Sequence, residues 1–167
     1  MTERVVRLSS VARTRALGAK LGELLEPGDF VGLEGELGAG KTELVRAICL
    51  GAGVPPGRVS SPTFAIVATY EGGRLPILHA DLYRLADVDE LFATGFFDAD
   101  AGRAASIVEW VDRVPTAAPT EHLHLRLEYR TPTTRAMTVR ASGVRYEERI
   151  RAWLRRESRS SRRPSRN

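Results

Sequence analysis

"EGELGAGKTEL", residues 34–44, sets Gly35, Gly40, Lys41 and Thr42 at the spacing G-x-x-x-x-G-K-[ST]. Glycines so placed let the backbone turn tightly, with successive N–H groups pointing inward at a polyphosphate. A helix that starts at the lysine directs its N-terminal dipole at the same anion. Lys41 would then reach the β- and γ-phosphates, and the Thr42 hydroxyl would take one site on Mg2+. The pattern requires a strand before the loop and a helix after it. "FVGL", 30–33, reads as a short buried strand, and a helix is predicted from about Lys41 to Leu50, stopped by "GAGVPPG".

Chance supplies this pattern in roughly one chain of this length per hundred, or fewer. Lys41 is also one of only two lysines in a chain that otherwise uses arginine for positive charge. A compact ammonium suits a site among phosphates better than a planar guanidinium does. The loop is therefore read as a phosphate cradle. Guanine-specific relatives of such loops carry an N-K-x-D segment. The only asparagine here is Asn167, which favours ATP.

The remaining organisation follows from punctuation and periodicity. Ser9 and Ser10 are candidate N-caps for a helix over about 11–25, with Leu17, Leu21, Leu24 and Leu25 as its apolar stripe. "SPTFAIVATY" and "RLPILHAD" flank the turn "EGG" and predict a hairpin. "ADVDELFATG" predicts a third helix, with Asp87 as N-cap, Glu90 at the reciprocal capping position and Gly95 as the stop. "ASIVEW" reads as a buried strand, and "HLHLRLEY" and "RAMTVRA" as late alternating strands. A last helix is expected around Ile150, Trp153 and Leu154, and disorder from Ser158 onward, where the chain is too polar to bury anything. The prediction is an α/β fold: a P-loop NTPase-like mixed sheet flanked by helices, in one domain over 1–144, with a basic C-terminal helix and arginine-rich tail over 145–167.

At 167 residues, 43% hydrophobic and 28% charged, the chain can build a substantial core. The sequence pI of about 9.7 points to nucleic acid until the charge is located. Residues 145–167 carry nine arginines against three glutamates, whereas residues 1–144 carry 16 basic and 18 acidic side chains. The folded body thus shows no evident electrostatic footprint for RNA or DNA. No stretch has the length of a membrane span, "MTERVVRLSS" lacks a signal-peptide core, and Cys49 has no second cysteine to pair with. The expectation is a cytoplasmic protein without membrane contact.

A phosphate cradle needs a carboxylate at the end of a neighbouring strand to organise the metal and the attacking water. Asp81 ends "LPILHAD" and Glu109 ends the apolar run of "SIVEW", so both should emerge at the carboxyl edge of the sheet. Either alone could be a solvated strand-end charge; two beside such a loop suggest a site. In "SSPTF", Pro62 stiffens the loop, and Thr63 is a candidate for the γ-phosphate or the metal.

"LEGELGAGKT", "VSSPTF", "HADLYRLAD", "ELFATGF" and "IVEW" occur in the order and at the spacing of the TsaE family of bacterial ATPases. The chain resembles that family over roughly residues 10–142. The resemblance implies a role in making N6-threonylcarbamoyladenosine in tRNA, beside the anticodon, with the proteins TsaD and TsaB as partners and tRNA met only indirectly. Carried over by motif, Leu37, Gly38, Ala39, Gly40, Lys41 and Thr42 would hold the phosphates of ATP. Thr42 and Glu109 would lie at Mg2+, and Asp81 would be the acid of H-x-D-x-Y-R. Trp110 would sit beside the nucleotide and Thr63 in a switch-like loop. The implied chemistry is Mg2+-dependent ATP hydrolysis, with Lys41, Asp81 and Glu109 as catalytic residues, slow alone and faster with partners. Glu43 departs from the family, which often has a second threonine there.

Lesser signals have plainer readings. His79 shares a strand face with Asp81 and either orients that acid or is a satisfied core histidine. His122 and His124 share a face without a third ligand nearby, Cys49 reads as packed core, and Tyr83 and Arg84 as loop- or partner-facing. Two rival functions remain on the residues alone: a P-loop small-molecule kinase, and an RNA-binding module driven by the tail.

Overall fold

The apolar run of "FVGL" becomes β2 (Phe30–Glu34), whose first four residues are buried. It lies between β5 (Ala105–Glu109) and β6 (His122–Thr131), parallel to both. β4 (Ile77–Asp81) extends the parallel set beyond β5, and β3 (Val67–Tyr70), the first arm of the expected hairpin, closes that edge. On the opposite side β7 (Thr134–Ser142) and β1 (Thr2–Leu8) add antiparallel strands. The order is β1-β7-β6-β2-β5-β4-β3, the mixed sheet that was expected. Strands β2, β4 and β5 are apolar runs rather than alternations because helices cover both of their faces. These statements cover residues 1–62, 64–99 and 102–160, with side chains to Arg155; among them no helix is long and apolar enough to cross a membrane.

Helices α1 (Val11–Leu24), α2 (Lys41–Gly51) and α4 (Val144–Ser160) cover one face, over a core that includes Leu17, Leu33, Ile48, Ile107, Val139 and Trp153. The short α3 (Val88–Ala93) and two 3₁₀ turns (Val111–Arg113, Pro115–Ala117) cover the other, around Leu78, Leu82, Leu91, Phe96 and Val108. Ser10 caps α1 by accepting from Arg13 N at 3.1 Å. α1 and α2 meet backbone to backbone: a Cβ at Gly22 would fall 2.0 Å from the Ile48 carbonyl oxygen, and one at Gly51 would fall 1.9 Å from that of Ala19. Any larger residue would push the phosphate-loop helix off the sheet. Cys49, in the last turn of α2, is fully buried, and burial pushes its thiol up to about 12. Asp87 caps α3 through Glu90 N at 3.0 Å, while the Glu90 carboxylate reaches back to Ala86 N rather than to the cap itself.

Two elements differ from expectation. β1 carries no sequence alternation because most of its residues face solvent along an edge, and its arginines suit that exposure. α4 begins at Val144, before Ile150, because Tyr146 is already part of the core. Tyr146 Oη accepts from Phe30 N at 2.9 Å, and Trp153 Nε1 donates to the Leu17 carbonyl at 3.0 Å, so α4 is stitched to β2 and α1. α4 also continues to Ser160, past the Ser158 at which disorder was expected; the arginine-rich residues 161–167 lie outside the described residues.

Beneath α4, Arg149 pairs with the fully buried Asp29 and, at 2.8 Å, with Glu26; Arg145 holds the other Asp29 oxygen at 2.9 Å. Replacing Arg149 by Met keeps the packing but leaves the buried carboxylate with the exposed Arg145 and the Glu26 N–H, which donates to it at 2.7 Å. The expected loss is about 3 kcal/mol of stability, read as a lower urea midpoint at unchanged m-value.

Candidate functional site

The loop after β2 turns at Gly35 and Gly38, and Gly40 opens α2 with φ 101°. No side chain caps α2, so its first-turn N–H groups are not taken up by a capping residue. Side chains are excluded for steric reasons too: a Cβ at Gly35 would lie 2.7 Å from the Leu127 carbonyl oxygen. Lys41 is 5% exposed, and its Nζ donates to the carbonyls of Gly35 (2.5 Å) and Glu36 (3.0 Å), leaving one N–H for another acceptor. The same ammonium lies 4.0 Å from the centre of the Trp110 ring. Desolvation lowers the Lys41 pKa; the nearby charges of Glu109, Asp81 and Asp112 oppose that shift without cancelling it.

Both expected acids arrive. Asp81 and Glu109 are direct partners in the β4–β5 register, 5% and 2% exposed respectively. The Thr42 hydroxyl meets Glu109 at 3.2 Å (Oε2) and 3.4 Å (Oε1). Asp81 accepts from Tyr83 N at 2.9 Å, and Ser61 Oγ approaches its other oxygen at 3.5 Å. Trp110 follows Glu109 directly in a left-handed conformation (φ 58°), its ring tilted 50° against that of Tyr83 with centres 4.9 Å apart. Gly38, Gly40, Lys41, Thr42, Asp81, Glu109 and Trp110 thus line one cleft of about 310 Å³. Leu37 also lines it but is 83% exposed, and Ala39 is buried beneath the loop. Thr63 lies outside the described residues.

The donor set fits a hard cation held partly by a ligand. Thr42 and Glu109 supply two oxygen atoms at one point. Among the described residues no group of three or more His, Cys, Asp or Glu could hold a metal unaided. Mg2+ characteristically takes one or two protein oxygens and completes its shell with phosphates and water. Glu43, the departure noted above, is held by Arg15 at 2.5 Å and by Arg46 at 3.6 Å, which offsets its charge.

Three features escaped the sequence reading. His79 hydrogen-bonds Glu109 at 2.7 Å, so its acidic partner is not Asp81. His124 pairs with Glu34 at 2.9 Å, and His122 with the Pro119 carbonyl at 2.7 Å. A narrow cleft between the start of α1 (Ser10, Val11, Thr14) and the β6–β7 turn (Pro132, Thr133, Arg135) adjoins the cradle through Gly40 and Glu43. Its walls come from segments more than 110 residues apart, which no local pattern reveals.

A glycine loop between a central parallel strand and a helix, with one acid from the adjoining strand and one from the strand beyond it, defines a P-loop nucleotide-binding protein of the ATPase type. The family model described as threonylcarbamoyl adenosine biosynthesis protein TsaE matches residues 8–137. Proteins named tRNA threonylcarbamoyladenosine biosynthesis protein TsaE are similar: that of Treponema pallidum is 36% identical over 130 residues, 78% of this chain and 95% of that protein. That of Bacillus subtilis is 35% identical over 134 residues, covering 80% and 83%. The crystal structure of Bacillus subtilis YdiB superposes with a TM-score of 0.75 at 29% identity, over 93% of this chain and 97% of that one. The chain belongs to the TsaE family.

Proposed function

We propose that this protein binds and hydrolyses ATP as a component of N6-threonylcarbamoyladenosine formation in tRNA, and acts as a nucleotide-dependent switch on a TsaD–TsaB pair. Membership of the TsaE family supports the pathway. The observation that carries the chemistry is the meeting of Thr42 and Glu109 at 3.2 Å, directly after the loop lysine.

The cradle's N–H groups and the free N–H of Lys41 bind the β- and γ-phosphates. Trp110 and Tyr83 wall the cleft and exclude water from that side. Thr42 and Glu109 hold Mg2+, which when bound neutralises charge on the phosphate oxygens. Asp81, aimed by Tyr83 N and close to Ser61, orients the attacking water. The narrow cleft beside Gly40 takes the base, with Arg135 at its lip.

No arginine lines the catalytic cleft among the described residues, so charge spreading to the leaving phosphate has only Lys41 and the metal to meet it. Slow turnover of the isolated chain follows, with stimulation when partners complete the site. The test is phosphate release from ATP by the purified chain, alone and mixed with TsaD and TsaB. We expect at least a tenfold rise, modest beside the 10³–10⁵ supplied by an added arginine finger elsewhere. Equal rates would remove the switch; phosphate appearing on a small-molecule acceptor instead of in water would replace hydrolysis by a kinase activity.

A further inference from the structure

Tyr70, His79 and Glu109 step diagonally across three adjacent strands, β3, β4 and β5, beneath the catalytic cleft. His79 is wholly buried, Glu109 is 2% exposed and Tyr70 7%. His79 Nε2 lies 2.7 Å from Glu109 Oε1, and Nδ1 lies 3.0 Å from Tyr70 Oη. Tyr70 Oη in turn donates to the Ser60 carbonyl at 2.8 Å. An ionised carboxylate only accepts, so Nε2 carries the hydrogen directed at Glu109. With the one Tyr70 hydrogen given to Ser60, Oη can only accept from Nδ1, so the chain of bonds is continuous when both ring nitrogens carry hydrogen. Oε1 is therefore engaged from below, while Oε2 is the atom closer to Thr42. Burial raises the Tyr70 pKa, which keeps the phenol a hydroxyl donor.

The far end of this chain of bonds is the segment "SSPTF". Ser60 and Ser61 begin it, and Ile66, two residues past its end, has φ 66°, a left-handed conformation that costs a β-branched residue free energy. Such a loop keeps its shape only while bonds hold it. Among the described residues these include Tyr70 to Ser60, Ser61 Oγ to Asp81 at 3.5 Å, Asp81 N to the Ile66 carbonyl at 2.9 Å, and Ile66 N to the Pro62 carbonyl.

We propose that His79 and Tyr70 are positioning residues: His79 fixes the Glu109 carboxylate for the metal, and Tyr70 ties that carboxylate's position to the loop at Ser60. Loading of Glu109 thereby tightens the loop, a route by which the nucleotide state is passed to the surface. This rests on the nucleotide reading above. Ligating carboxylates and imidazoles elsewhere depend on such outer partners for 10- to 100-fold in affinity, roughly.

The test uses Mn2+ with the slowly hydrolysed analogue AMP-PNP, bound to the full chain and followed by calorimetry and amide hydrogen exchange. His79→Leu should weaken Mn2+-dependent binding by about 10- to 100-fold, yet leave AMP-PNP affinity in EDTA within about twofold of wild type. His79→Gln, whose amide N–H reaches about as far as Nε2–H, should restore binding to within about fivefold. Tyr70→Phe should keep most of the affinity but remove the added exchange protection that Mn2+–AMP-PNP brings to residues 58–66 of wild type. If wild type binds but His79→Leu matches it, or Tyr70→Phe keeps full loop protection, the relay is wrong and the nucleotide reading stands. If wild type binds no AMP-PNP with or without Mn2+, both fall. Should His79→Leu fail to fold, His79→Gln and Tyr70→Phe decide: a His79→Gln chain that binds Mn2+ no better than about 100-fold below wild type overturns the donor role.

Discussion

Lys41→Ala is expected to lower kcat/KM for ATP by about 10³ or more, and to leave the melting temperature within a few degrees of wild type. The two halves of that expectation have different causes. Hydrolysis needs positive charge where negative charge gathers, and Lys41 is the one cation among the side chains lining the described cleft. Folding does not need it. Desolvation lowers the Lys41 pKa, which means that burying the ammonium works against the fold. Its removal leaves the acids supported: Glu109 keeps His79 and Thr42, and Asp81 keeps Tyr83 N. Lys41→Arg preserves charge but not shape. Two loop carbonyls and the Trp110 ring already surround Nζ, and a planar guanidinium does not fit that space; activity should stay at least tenfold down. Phosphate release and thermal unfolding on the same preparations measure both halves. Activity of the alanine variant within tenfold of wild type would mean that the loop is not the cradle it resembles.

What could be read from the sequence was what is local. The G-x-x-x-x-G-K-[ST] spacing dictates a strand, a turn and a helix start within a dozen residues, and β2 and α2 follow it to within a residue or two. Asp81 and Glu109 were legible because strand-end acids in parallel strands share one edge, whatever the path between them. The hairpin, the Ser10 and Asp87 caps and the stop at Gly95 are likewise encoded within a few residues. β1 was not legible, because an edge strand facing solvent has no apolar period. Nor was the full length of α4, whose first turn is defined by Tyr146 bonding a strand more than 100 residues earlier.

His79 shows the limit most clearly. Alternation put it on the face of Asp81, and that was correct, but its hydrogen bond goes across to the next strand. Which strand lies beside β4 is a property of topology, and 23 residues separate the two elements without a local signal. A buried polar side chain between two cleft acids could be suspected from sequence; its partner could not.

The two acids should separate kinetically, because their surroundings differ. Glu109 touches Thr42 on one side and His79 on the other, whereas Asp81 is aimed from Tyr83 N and lies near Ser61 at the loop. Glu109→Gln keeps the size but removes the charge and one accepting oxygen: with the amide oxygen taking the His79 hydrogen, an N–H faces Thr42 where a metal would need an oxygen. We expect kcat/KM to fall by about 10²–10³ and the Mg2+ needed for half-maximal rate to rise at least tenfold. Asp81→Asn should lower kcat by about 10²–10⁴, as loss of a residue that orients or deprotonates the nucleophile does, with the Mg2+ requirement and nucleotide affinity within about threefold of wild type. Magnesium titrations of steady-state rates, with AMP-PNP binding alongside, distinguish the two. A matching rise in Mg2+ requirement for both variants would place Asp81 at the metal as well, and leave the attacking water without an assigned residue. The reverse pattern would exchange their roles, and with them the reason for His79 to sit beneath Glu109.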